Sequence, residues 1–141
     1  MKWLGIDYGR KRIGLATSDA SGTIASPLLT LENKGEKKNT EALLKIIADH
    51  NIEGIMCGMP QNIVGGDSGM SGEIKEFGRK LEEASGIGVE YVNERYSSKE
   101  AEEHIRVNLG ITKWEKVKEL VDKMVACMLL QEWLDKKKGE R

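Results

Sequence analysis

The sequence predicts a mixed α/β domain in which helices flank a five-stranded sheet. Short apolar runs with tight connections fill roughly the first thirty residues, which favours three antiparallel strands. After them, helical periodicities alternate with short apolar strands, which favours right-handed β-α-β crossovers and a parallel portion of the sheet. A length of 141 residues fits one domain spanning positions 1–141.

The first three strands are predicted from local apolar patterns. The run Trp3-Leu4-Gly5-Ile6 is the first, and it leads directly into Asp7. Larger apolar and smaller residues alternate over Arg12 to Ser18, which is the period of a half-buried strand. The third strand covers Ala25 to Leu31, where Pro27 indicates an edge position or an early residue of the strand.

The middle of the chain is predicted as helix, strand, loop and helix. Apolar residues recur at helical spacing from about Asn39 to His50, and a short strand follows at Gly54 to Gly58. The segment from Met59 to Gly72 is rich in glycine and is predicted as a long functional loop. Apolar positions between Ile74 and Leu81 then indicate a helix, which Gly86 ends.

The last third is predicted as one strand and two helices. Val89 to Val92 is the fifth strand. The sequences Ser97-Ser98-Lys99-Glu100 and Thr112-Lys113-Trp114-Glu115 both match the capping-box signature of a helix start, and Gly110 separates the two helices. The final helix is expected to run to about Leu134 and to end in Lys136-Lys137-Lys138, which suits the negative end of its dipole.

Charge and apolar content limit the classes of protein that fit. The 22 Lys and Arg residues against 23 Asp and Glu give a net charge of −1, so a polyanion would have to bind through a local basic cluster. Aromatic residues make up only 5%, and no interleaving of them with basic residues suggests a base-stacking platform. The longest apolar run, Val125 to Leu130, is too short for a membrane span, and we expect a cytoplasmic protein.

Two carboxylates are predicted at the same edge of the sheet. Asp7 ends the first strand and is followed by Gly9, which permits a tight turn. Glu94 lies two residues past the predicted end of the fifth strand. If these strands are parallel, both acids lie at the carboxyl edge, where open α/β sheets bind ligands. Alternatively, Asp7 caps the hairpin turn and Glu94 pairs with Arg95.

A third carboxylate is predicted on an apolar face of the final helix. Asp122 shares one helical stripe with Ala126, Leu129 and Trp133. A carboxylate in such a place is unfavourable unless it is paired or bound to a cation. The alternative to a ligand role is a buried ion pair with Lys or Arg.

Together the three acids Asp7, Glu94 and Asp122 predict a catalytic site for hard divalent cations, Mg²⁺ or Mn²⁺. Paired ions of this kind activate water and stabilise the leaving oxygen in phosphodiester cleavage. Four cations are expected to flank the site and to contact phosphates; they are Arg10, Lys11, Arg12 and Arg95. The alternative for them is a solvated hairpin tip and a salt-bridge partner.

Four segments resemble, in order, the motifs of the YqgF (RuvX) family. They are Gly5 to Gly14, Gly58 to Asn62, Glu94 to Glu102 and Val121 to Gln131. The family is ribonuclease-H-like, and its members are described as Holliday-junction resolvases and as nucleases that mature the 5′ end of pre-16S ribosomal RNA. The resemblance therefore implies a ribonuclease-H-like fold and a nuclease activity.

The resemblance also implies site residues. Asp7, Glu94 and Asp122 match the family's three metal-binding acids, and Asn62, in the family's Gly-x-Pro-x-Asn loop, is expected to contact nucleic acid. Asn93 stands where the family usually has Asp, which predicts weaker metal binding.

The expected function is a divalent-metal-dependent endonuclease acting on precursor ribosomal RNA, with a pre-ribosomal particle as partner and a monomer or weak homodimer as its state. One alternative is a Holliday-junction resolvase acting on branched DNA. Another is a non-catalytic nucleic-acid-binding module in ribosome assembly or transcription. A nucleotide-binding fragment is a further alternative, because Gly-Ile-Asp-x-Gly also resembles the first phosphate motif of actin-like ATPases and sugar kinases. Those enzymes need two such domains to enclose ATP.

Overall fold

The computed structural model describes residues 1–60, 69–94 and 98–139, apart from the side chains of Glu94 and Ser98. It contains one five-stranded sheet in the order β3-β2-β1-β4-β5. The strands are β1 Trp3–Tyr8, β2 Arg12–Ser18, β3 Ala25–Glu32, β4 Gly54–Pro60 and β5 Val89–Glu94. The helices are α1 Glu36–Asp49, α2 Met70–Ser85, α3 Ser98–Asn108 and α4 Trp114–Gly139. The predicted α/β class and mixed five-stranded sheet are confirmed.

The pairing of the strands places three carboxyl ends at one edge of the sheet. β2 is antiparallel to both β1 and β3, whereas β4 is parallel to both β1 and β5. The ends of β1, β4 and β5 therefore share one side, which we call the carboxyl edge. Pro27 lies on the edge strand β3, as predicted, and a register shift interrupts the ladder between Leu15 and Ala16 beside it.

Each face of the sheet carries its own apolar core. Side chains alternate along β1, so Trp3 packs with α3 and α4, while Leu4 and Ile6 pack with α1 and α2. Buried residues of α4 run from Val117 to Leu134, which makes this helix the main cover of its face. No helix in the described part of the chain is long and apolar enough to cross a bilayer.

Glycines let α4 lie unusually close to the sheet. A Cβ atom added at Gly14 would stand 2.1 Å from the backbone oxygen of Asp122. One added at Gly5 would stand 2.9 Å from the Cβ of Leu130 and 3.3 Å from the oxygen of Ala126. The two positions therefore have to be glycine for α4 to pack this close to the sheet.

Several predicted element ends were wrong. β5 extends to Glu94 because it stays paired with β4 as far as Pro60, so Glu94 ends the strand instead of following it. Residue 70 already begins α2, although it was predicted as loop, because Gly69 supplies a left-handed N-cap that has no side-chain signature. Residues 61–68 of that predicted loop lie outside the described residues. Gly86 ends α2 in the left-handed conformation, as predicted.

The turn between β2 and β3 is organised by Asp19. Its carboxylate accepts hydrogen bonds from the backbone N–H groups of Ile24 (3.0 Å) and Thr23 (2.8 Å) and from the Ser21 hydroxyl (2.7 Å). These bonds, with Ile24 the largest contributor, lower the pKa of Asp19 from 3.8 to about 2.

This turn gives a prediction for acid stability. The folded pKa is depressed, so the stabilisation is complete above the unfolded pKa and is lost as pH falls from about 4 to about 2. We expect the thermal midpoint of Asp19→Asn to fall less than that of the wild type over this interval, because the variant has no carboxylate to protonate. Parallel melting curves at several pH values measure this. Identical slopes for the two proteins would show that the Asp19 bonds do not govern the transition.

Candidate active site

Asp7 lies at the carboxyl edge on the face that α4 covers. It is the last residue but one of β1, and it stands directly opposite Gly14 on β2. Residues directly opposite in an antiparallel pair share a face of the sheet. Because the Cβ direction of Gly14 points at α4, Asp7 belongs to the same face.

Asp122 reaches the same point from α4. Its backbone oxygen lies against Gly14, so the two acids converge on one glycine although they are far apart in the sequence. The Asp122 side chain is 23% exposed, less buried than its apolar stripe predicted.

The Asp122 carboxylate already binds a cation, the guanidinium of Arg12. The Nε atom of Arg12 donates to Oδ2 of Asp122 at 2.7 Å. This is the ion pair that the alternative interpretation of Asp122 stated, although the pair is not buried, since Arg12 is about half exposed and Asp122 partly exposed. Arg12 was predicted to contact phosphate, and in this structure its charge is matched by Asp122.

Glu94 is placed by its backbone alone. It ends β5 and pairs with Pro60 at the end of β4, which is the strand next to β1. Glu94 therefore lies at the carboxyl edge. Arg95, Asn62 and the Glu94 side chain lie outside the described residues. Among the described side chains, which do not include that of Glu94, no three His, Cys, Asp or Glu form a group able to hold a metal ion. The three-acid site therefore stays a prediction.

Residues Gly9 to Arg12, which we call the basic turn, connect β1 to β2 and are held by two asparagines. Asn33 donates from its side chain to the oxygen of Gly9 and from its backbone to the oxygen of Lys11, both at 2.9 Å. Asn39, which is 4% exposed, donates to the side chain of Asn33 at 2.8 Å. The sequence analysis missed both residues, since no local motif marks them.

The basic turn also contacts both helical layers. Arg10 forms two hydrogen bonds, of 3.1 and 3.2 Å, with Glu73 in the first turn of α2, while Arg12 contacts α4. Both members of the Arg10–Glu73 pair are about half exposed, so the pair adds little to stability. Lys11 between them is exposed. The turn thus presents positive charge directly beside Asp7.

A cavity of about 400 Å³ adjoins the turn on the opposite face of the sheet. Tyr8, the last residue of β1, and Phe77 of α2 line part of it, with ring centroids 4.6 Å apart. Glu36, Glu73 and Glu76 also line it. Lys80 lines it too and pairs with Glu36 and Glu76, while Glu73 pairs with Arg10, so cations balance the acids of this border.

Sequence comparison relates the chain to nucleases. The profile of the family described as RuvX, Holliday junction resolvase, matches residues 1–136. A protein of Crocosphaera subtropica named "Putative pre-16S rRNA nuclease" is 31% identical over 136 residues, covering 96% of this chain and 94% of its own. A protein of the same name from Endomicrobium trichonymphae is 38% identical over 132 residues, covering 94% of each chain.

Structural comparison supports the fold. RuvC of Thermus thermophilus, solved with a Holliday junction substrate, has a TM-score of 0.63 at 15% identity, covering 99% of this chain and 97% of its own. The Fowlpox virus resolvase, solved with Holliday junction DNA, has a TM-score of 0.62 at 14% identity, covering 97% and 99%. The expected ribonuclease-H-like fold is confirmed.

Proposed function

The chain belongs to the RuvX family, and from this membership we propose that it is a divalent-metal-dependent endonuclease that cleaves precursor 16S ribosomal RNA. The single observation that carries the proposal is the convergence of Asp7 and Asp122 on Gly14, beside a basic turn. The relatives named above are called pre-16S rRNA nucleases, which favours RNA as the substrate. A cytoplasmic protein acting on a pre-ribosomal particle fits this role.

The donor chemistry of the proposed site fits a hard cation. Asp7, Glu94 and Asp122 supply carboxylate oxygens, the ligands that Mg²⁺ and Mn²⁺ prefer. The short contact of Asp122 with Arg12 supports its ability to hold positive charge at this position. When bound, such an ion supplies a water of lowered pKa and stabilises charge on the leaving oxygen.

The remaining residues would bind and orient the substrate. Arg10 and Lys11 are exposed at the turn and would contact phosphates next to the scissile bond. The Asn33 hydrogen bonds fix the backbone of the turn, and this fixes where the two cations start relative to Asp7. Arg95 and Asn62 are assigned to substrate binding by family resemblance alone.

The test is a paired cleavage assay on a precursor 16S RNA fragment and on a four-way DNA junction. We expect Mg²⁺- or Mn²⁺-dependent cleavage of the RNA that EDTA abolishes. Cleavage of the junction alone would instead establish the resolvase, which the family description favours. Absence of cleavage on both substrates, with no Mn²⁺ binding by calorimetry at millimolar concentration, would favour a non-catalytic binding module. The balanced charge, Asn93 and the Arg12–Asp122 pair are the observations that fit this role.

The Arg12–Asp122 pair gives a prediction for metal affinity. We expect Arg12→Gln to bind Mn²⁺ about fivefold more tightly than the wild type, because a half-exposed ion pair of up to about 1 kcal/mol no longer competes for Asp122. Electron paramagnetic resonance of free Mn²⁺ measures the affinity without substrate. Arg10→Gln is the matched control, since Arg10 sits in the same turn but pairs with Glu73. An equal gain in both variants would indicate a general charge effect, and no gain in Arg12→Gln would remove Asp122 from the ligand set.

A further inference from the structure

The junction of α3 and α4 exposes an aromatic ring beside a cation. Trp114, the first residue of α4, is 51% exposed, and Val107 and Leu109 before it are 71% and 50% exposed. The guanidinium carbon of Arg106 lies 5.6 Å from the centroid of the Trp114 ring, within the range of a cation–π contact. A half-exposed aromatic ring thus has a positive side chain beside it.

This ring lies on the same side of the molecule as the proposed active site. α4 runs antiparallel to β1, because Asp122 lies against Gly14 whereas Leu130 lies against Gly5. Its residues before Asp122 therefore extend past the carboxyl edge. Trp114 precedes Asp122 by two helical turns, about 12 Å along the axis.

A row of residues along α4 connects the Trp114 ring with the proposed active site. Trp114, Lys118 and Asp122 are spaced four residues apart, so they follow one side of the helix. Lys113 and Lys116 add positive charge near the ring. The acids on the same part of α4 are Glu115 and Glu119, the latter 3.9 Å from Lys116, and Glu102 and Glu103 precede Arg106 by one turn of α3.

We propose that Trp114 and Arg106 form a stacking platform for an unpaired base of a nucleic-acid strand. The backbone of the strand would run past Lys118 towards Asp122. Exposed aromatic rings next to Arg and Lys bind bases of any sequence by stacking, while the cations bind the phosphates. The inference rests on the proposed function, since it supplies a binding site for that substrate. Sequence patterns gave no sign of the platform because its two parts come from different helices.

Tryptophan fluorescence tests the platform directly. Trp3 is 7% exposed and stacks edge-on with Trp133 at 5.6 Å, which leaves Trp114 as the exposed tryptophan. We expect a single-stranded oligonucleotide, added to Asp7→Asn protein without divalent metal, to quench the fluorescence. Trp133→Phe should keep this quenching and Trp114→Phe should lose it while still binding.

Affinity provides the second measurement. By anisotropy of a labelled oligonucleotide, Trp114→Ala should bind about 5- to 100-fold more weakly, the range for loss of one stacked base. Val107→Ala, in the same exposed segment, should bind as the wild type does. Neither measurement depends on cleavage, so quenching here together with no cleavage by the wild-type protein in the paired assay would retain the platform and reject the proposed function.

Two outcomes would overturn the platform. One is unchanged oligonucleotide affinity in a Trp114→Ala protein whose circular dichroism and melting midpoint show that it is folded. The other is quenching by the oligonucleotide that persists in Trp114→Phe, which would place the bound strand away from this ring.

Discussion

Asp7→Asn is expected to lower the cleavage rate of precursor RNA at least about 100-fold. The substitution keeps the shape of the side chain but removes the negative charge at the point where β1 meets α4. Loss of a partner that only supports a metal ligand already lowers activity or affinity about 10- to 100-fold, so loss of a ligand itself should have at least this effect. Single-turnover cleavage with saturating Mn²⁺ measures the rate.

Asp49→Asn is the matched control for this experiment. Asp49 is an exposed aspartate at the end of α1, just before β4 begins, and so lies at the opposite edge of the sheet. The Asp49→Asn protein should cleave precursor RNA at the wild-type rate. Wild-type cleavage by folded Asp7→Asn protein would contradict the catalytic assignment of the carboxyl edge.

Gly14→Ala is expected to destabilise the protein by about 3 kcal/mol or more. The new Cβ would stand 2.1 Å from the oxygen and 2.4 Å from the carbonyl carbon of Asp122, so a strand and a helix would have to separate. Overpacking that a side chain can relieve usually costs about 1–3 kcal/mol, and here both contacting groups are backbone. Urea unfolding measures the loss. Cleavage should fall as well, because Asp122 would move away from Asp7.

Gly78→Ala tests whether contact with backbone atoms is the reason for the predicted loss of stability in Gly14→Ala. A Cβ at Gly78 would stand 2.0 Å from the Tyr91 hydroxyl, which is nominally as close, but Tyr91 is a 38% exposed side chain on edge strand β5 that can turn aside. Replacing a helical glycine by alanine also favours the helix by up to about 1 kcal/mol. We therefore expect a neutral or stabilised variant. Equal destabilisation of both variants would show that distance alone governs the effect.

The sequence predicts those features that depend on neighbouring residues. Alternation located β2 from Arg12 to Ser18, and the order of helices and strands predicted which strands run parallel. That topology placed Asp7 and Glu94 at one edge, since the carboxyl ends of parallel strands meet there.

Features formed between distant segments escaped prediction. Arg12 and Asp122 are separated by 110 positions, and only the packed structure makes them partners. The length of β5 depends on its pairing with Pro60, not on its own apolar run. Likewise Asn39 is buried because it holds Asn33 at the basic turn, and no motif in either segment indicates that bond.

The close packing of α4 on Gly14 determines when the proposed site can form during synthesis of the chain. β1, β2 and the basic turn emerge first from the ribosome, whereas Asp122 is added more than a hundred residues later. A growing chain that stops before α4 leaves one face of its sheet uncovered and carries only part of the proposed site. The proposed site therefore cannot be complete until α4 has been synthesised and has packed against the sheet.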